Sequence, residues 1–90
     1  MKMIYLRCKK YKVNKLINLK NIDELGYKEF ENTIYVRFHD KVYTLLELKP
    51  EDKAETVCTH ILDEYINNSM TMDSFTIDVD DILKEIHDNK

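Results

Sequence analysis

The chain has 90 residues, 43% apolar and 34% charged, with a formal net charge of −3. That is one small domain spanning residues 1–90, too short for a two-domain enzyme, a barrel enzyme or a dinucleotide-binding domain of ordinary size. It contains one glycine and one proline, which excludes the glycine-rich phosphate loops, since their fingerprints need more than one glycine at fixed spacing.

The elements follow from periodicity. Residues 3–8 alternate Met3, Tyr5 and Arg7 against Ile4, Leu6 and Cys8, which predicts a strand with Ile4, Leu6 and Cys8 inward. The basic stretch 9–15, interrupted by Tyr11, reads as a continuation of that strand or as a loop. Leu16, Ile17 and Leu19 fit a second strand or a helical turn, and a strand is the reading adopted. Asn21 to Gly26 reads as a short helix or turn, with Asn21 as cap and Gly26 as the left-handed terminator.

A β-hairpin is expected over about 33–48. Thr33, Ile34, Tyr35, Val36, Arg37 and Phe38 alternate and are rich in β-branched and aromatic residues, His39 to Lys41 turns, and Val42 to Leu48 returns. A two-residue loop puts Val36 on the face of Tyr43 and Leu45. A three-residue loop aligns Ile34, Val36 and Phe38 with Val42, Thr44 and Leu46, and both registers stay open.

Pro50 suits a first helical turn, and Glu51 and Asp52 suit its positive end. Ala54, Val57, Cys58, Ile61, Leu62 and Tyr65 then recur with helical period, predicting a helix over about 50–67. A strand over about 72–77 and a helix over about 79–87 follow, the helix capped by Asp78 with Asp80 and Asp81 in its first turn. The expected fold class is α+β: a small antiparallel sheet, including the hairpin, packed on one face by two helices.

No catalytic constellation emerges. Cys8 and Cys58 sit among apolar residues and read as reduced, buried thiols of a cytoplasmic protein. The basic N-terminus lacks the apolar run of a signal peptide, and no stretch is long enough to span a membrane. His39 falls in a hairpin turn, His60 off the apolar stripe and His87 in a fraying tail, so all three read as surface groups. Neither Cys-x-x-Cys nor His-x-x-x-His spacing occurs, so no zinc is expected. The aspartates around residue 80 lack the glycine and terminal glutamate of a calcium loop. The expectation is therefore a non-enzymatic protein without metal or cofactor.

Charge is the most informative global feature. Residues 1–50 hold 11 Lys and Arg against 6 Asp and Glu, +5, whereas residues 51–90 hold 3 against 11, −8. Two candidate surfaces result. Glu51, Asp52, Glu55, Asp63 and Glu64 decorate the long helix and form a carboxylate array suited to a basic partner, in the manner of a nucleic-acid mimic. Tyr5, Arg7, Lys9, Lys10, Tyr11 and Lys12 form a basic, aromatic segment that suits single-stranded nucleic acid as an alternative. Head-to-tail pairing of the two charged halves would give a homo-oligomer.

In outline, a hairpin followed by an acidic helix resembles small phage-encoded inhibitors that occupy nucleic-acid-binding surfaces of host defence nucleases. The resemblance rests on no residue motif and transfers no site residues. The leading expectation is a protein-binding module or small inhibitor, from a mobile element or a small regulatory operon, that covers a basic surface of its partner with an acidic helical face.

Overall fold

The computed structural model describes residues 3–18 and 21–88. Its elements are β1 (Met3–Cys8), β2 (Val13–Asn18), β3 (Glu24–Lys28), β4 (Thr33–Phe38), β5 (Lys41–Glu47), α1 (Ala54–Ser69), β6 (Ser74–Asp78) and α2 (Val79–Asp88). The fold class is α+β. The strands form two sheets of three, ordered β2-β1-β6 and β3-β4-β5. The second is an antiparallel meander, whereas the first joins the antiparallel β1–β2 hairpin to a parallel β1–β6 pair. The whole second sheet and α1 lie in the crossover between β1 and β6, the long connection that parallel pairing requires.

Alternation in β1 is as expected: Ile4, Leu6 and Cys8 are buried while Tyr5 and Arg7 are exposed. The stripe Ala54, Val57, Cys58 and Ile61 is the buried face of α1, which packs on β3, β4, β6 and α2. From α2, Val79, Ile82 and Leu83 enter the same core, against β1 and α1. Both cysteines are free thiols about 1% exposed.

Local chemistry also sets the start of α2 and the shape of the hairpin. Asp78 Oδ1 accepts from the N–H groups of Asp80 (3.0 Å) and Asp81 (3.4 Å), the expected side-chain cap. The β4–β5 loop has two residues, with His39 at φ 55°, the positive angle that a primed hairpin turn requires. Val36 therefore faces Tyr43. Further along, Ile34 pairs with Leu46 although Tyr35 pairs with Thr44. This bulge at Leu45 converts the register of a two-residue loop into that of a three-residue loop, so each of the two open registers holds on one side of it. One extra residue lets the adjacent Leu45 and Leu46 both be buried.

Two segments differ from expectation. Residues 24–28 are a strand, not part of a short helix, and Gly26 has no positive φ. Gly26 faces Tyr35 across the β3–β4 pair, and a Cβ there would lie 2.9 Å from the Tyr35 hydroxyl oxygen. The Tyr35 ring lies over the glycine, so the residue provides close approach and not chain reversal. The long helix begins at Ala54, not near Pro50, because Pro50, Glu51 and Asp52 form a turn closed by Asp52 N–H donating to Lys49 O at 2.9 Å. Leu19, expected in the second strand, lies outside the described residues.

Candidate partner-binding surfaces

The β1–β2 and β3–β4 hairpins are built alike. Each has a four-residue turn, residues 9–12 and 29–32, whose last residue is left-handed: Lys12 at φ 55° and Asn32 at φ 53°. Each turn is closed by a backbone bond, Lys12 N–H to Lys9 O at 3.1 Å and Asn32 N–H to Glu29 O at 3.2 Å. Asparagine tolerates that conformation, whereas lysine has no such preference.

Both turns grip the segment that leads into α1. Asn32 Nδ2 donates to Leu48 O (3.2 Å), Lys49 O (3.1 Å) and Asp52 O (2.9 Å), and Asn32 Oδ1 accepts from Ala54 N–H (2.8 Å). From the other turn, the Tyr11 hydroxyl donates to Asp52 Oδ2 and accepts from Lys49 N–H (3.0 Å).

Asp52 is the centre of this arrangement. Its side chain is fully buried, and besides Tyr11 it accepts from Lys10 Nζ at 2.6 Å and from His87 Nε2 at 2.8 Å. Burial works to raise its carboxyl, but the hydrogen bonds from Lys10, Tyr11 and His87 outweigh that and hold it below the ordinary carboxylate value. The same bond to Asp52 raises the Lys10 ammonium, and burial followed by the bond to Asp52 raises the Tyr11 phenol.

Asp80, in the first turn of α2, accepts from the backbone N–H groups of Lys9 (2.7 Å) and Lys10 (3.1 Å). The acidic end of the chain thus folds onto the basic first turn. His87, expected in a fraying tail, instead ties the last turn of α2 to Asp52.

The predicted acidic residues therefore divide. Asp52 is 2% exposed and spends its charge inside the protein, so it is not on the outer face. Glu51 is exposed and lies 3.5 Å from Lys10 Nζ. Glu55, Asp63 and Glu64 are exposed on α1. Asp81, Glu85 and Asp88 are exposed on α2, which packs against α1, and Lys84 is the single Lys or Arg in the two helices.

The basic, aromatic candidates divide as well. Tyr5 and Arg7 share the outer face of β1, where the Tyr5 hydroxyl donates to Asn14 Oδ1 at 3.1 Å. Lys9 and Lys12 are exposed in the turn, whereas Lys10 and Tyr11 are engaged by Asp52. No one surface collects all six.

Burial pushes both thiols up, Cys58 by burial alone and Cys8 by burial first and the nearby Asp80 charge, which keeps them protonated and unreactive. His60 Nδ1 lies 3.0 Å from Thr56 O. Among the described residues no group of three or more His, Cys, Asp or Glu is placed to hold a metal ion, and no helix is long and apolar enough to cross a membrane. Comparison with protein-family models, curated proteins and solved structures finds no match.

Proposed function

We propose that this protein is a non-enzymatic protein-binding module that covers a basic surface of its partner with its helical layer. The observation that carries this reading is the exposure of Glu55, Asp63, Glu64, Asp81, Glu85 and Asp88 on two packed helices that hold one lysine between them. Like charges fixed on rigid helices raise the local potential and steer a cationic partner into register. The buried, protonated thiols give no nucleophile. Asp52 and His87 are close enough to act as an acid–base pair, but Asp52 is saturated by three donors that hold the fold together.

The test is affinity capture from the source cell, compared between the wild type and the triple variant Glu55→Lys, Asp63→Lys, Glu64→Lys. All three side chains are exposed, so the variant keeps its fold, which its melting curve verifies. The expected result is a basic protein captured at low salt and lost with the variant. Equal capture by both forms overturns the acidic-face reading, as does a shift of single-stranded DNA that depends on Arg7 and Lys12.

A further inference from the structure

Strands β2 and β5 each stand at the edge of a sheet, and they are not paired with each other. A continuous groove runs between them, with volumes of about 400 and 560 Å³ in its two halves. Lys15, Thr44 and Leu45 line both halves. Ile17, Val36 and Leu45, all buried, form an apolar floor. Leu16 and Tyr43, 66% and 49% exposed, stand along it.

Each edge strand turns half of its backbone N–H and C=O groups away from its own sheet, ready to pair with another extended chain. The β2 wall carries Lys12 and Lys15 and no carboxylate, and residues 3–18 as a whole hold five cations and no Asp or Glu. Among the described residues, Glu47 is the one acidic residue lining either half.

We propose that the groove between β2 and β5 binds an extended acidic peptide segment of a partner protein, which adds a strand to the open edges. Backbone pairing supplies the affinity, and alternate side chains supply the choice of sequence. One set points down onto Ile17, Val36 and Leu45 and must be apolar. Lys15, on the same face of β2 as Ile17, and Lys12 in the adjoining turn meet the acidic side chains of the segment. At roughly 3.3 Å per residue, the six residues of β2 match a segment of about six. The lysines also disfavour a second copy, because β2 against β2 would oppose like charges. This surface lies on strands, apart from the helical layer, so it stands or falls separately from the acidic-face reading.

The test uses a fluorescently labelled heptapeptide, Asp-Val-Glu-Ile-Asp-Val-Glu with blocked ends, and the full chain. Anisotropy is expected to show binding at least tenfold tighter than for the same peptide with lysine at the acidic positions, and a similar loss when alternate peptide nitrogens are methylated. Lys12→Gln with Lys15→Gln weakens binding about tenfold at unchanged melting temperature, and Glu55→Lys with Asp63→Lys leaves it unchanged. Hydrogen exchange slows in residues 13–18 and 41–47 when the peptide is present. No binding, equal binding of the acidic and basic peptides, or protection confined to the helices overturns the proposal. Self-association of the protein that the lysine variants abolish also overturns it, because a second copy would then be the occupant.

Discussion

The Asn32 carboxamide oxygen accepts the Ala54 N–H at 2.8 Å, so the first turn of α1 is capped by a residue 22 positions earlier in the chain. Lys53, at the N-cap position, makes no side-chain bond to the helix. The left-handed turn of β3–β4 thus supplies what a local Ser or Asp would otherwise provide. Asn32 meets two demands at once, a positive φ and a capping oxygen, while the two N–H groups of its amide are shared among three carbonyls.

Substitutions at Asn32 separate these demands. Asn32→Ala loses the cap and the carbonyl contacts and puts a Cβ without compensation into the left-handed region. It is expected to cost about 2–3 kcal/mol. Asn32→Gly removes only the conformational penalty and is expected to cost about 1 kcal/mol less. Urea unfolding orders them wild type, Gly, Ala. Equal stability of the Gly and Ala variants would show that the left-handed geometry of Asn32, φ 53°, contributes nothing.

Asp52 predicts a pH dependence. Its folded carboxyl lies below the ordinary value of 3.8, so its contribution is present above that value and is lost as pH falls through the lower folded one. Asp80 is lowered in the same direction, its burial outweighed by the N–H groups of Lys9 and Lys10. Lys10 and Tyr11 are raised above 10.5 and 10.0, so their contributions are present below those values and are lost as pH rises through the folded ones. The buried Cys8 and Cys58 thiols are raised above 9.0, so their contributions begin to fall earlier still. Stability is therefore expected to be flat from about pH 5 to about pH 8 and to fall outside that range. Asp52→Asn should cost about 2–4 kcal/mol at pH 7 and shrink the acid limb, leaving the part due to Asp80. Lys10 is one-third exposed, so the loss is smaller than the roughly 3–5 kcal/mol for breaking a fully buried pair. An acid limb identical to that of the wild type would refute this role.

Gly26 and Tyr35 should be coupled. Gly26→Ala sets a methyl 2.9 Å from the Tyr35 hydroxyl oxygen and 3.0 Å from its ring carbon, so the ring must swing away, at a cost of about 1 kcal/mol. Combined with Tyr35→Ser, which vacates that space, the added cost of Gly26→Ala should vanish. A double-mutant cycle measures this, and strict additivity would contradict it.

Thr33 offers a stabilising change. It is 7% exposed, and its hydroxyl has no hydrogen-bond partner. Thr33→Val replaces an unsatisfied buried hydroxyl by a methyl of similar size and suits a strand. The variant is expected to gain up to about 1 kcal/mol, which corresponds to a melting temperature roughly 4–8 °C higher. A lower melting temperature would mean that the hydroxyl does contribute to stability.

The chain order of strands and helices was largely legible in the sequence because periodicity is local: the alternation of β1, the stripe of α1 and the Asp78 cap each depend on residues within a few positions. Residues 24–28 resemble a turn in sequence because Asn21 and Gly26 are strong local turn signals, while the strand they form depends on the partner strand β4 and the Tyr35 ring. The hairpin register stayed open because the bulge at Leu45 answers to burial of two adjacent leucines, not to the loop. Tertiary structure alone decided the work of Asn32, Asp52 and His87. Their partners stand 22, 41 and 35 positions away, and no spacing rule reaches that far. An aspartate two residues after a proline and a lysine in a basic run look like surface charges until packing removes water from between them, and only then does their pairing become a structural clamp.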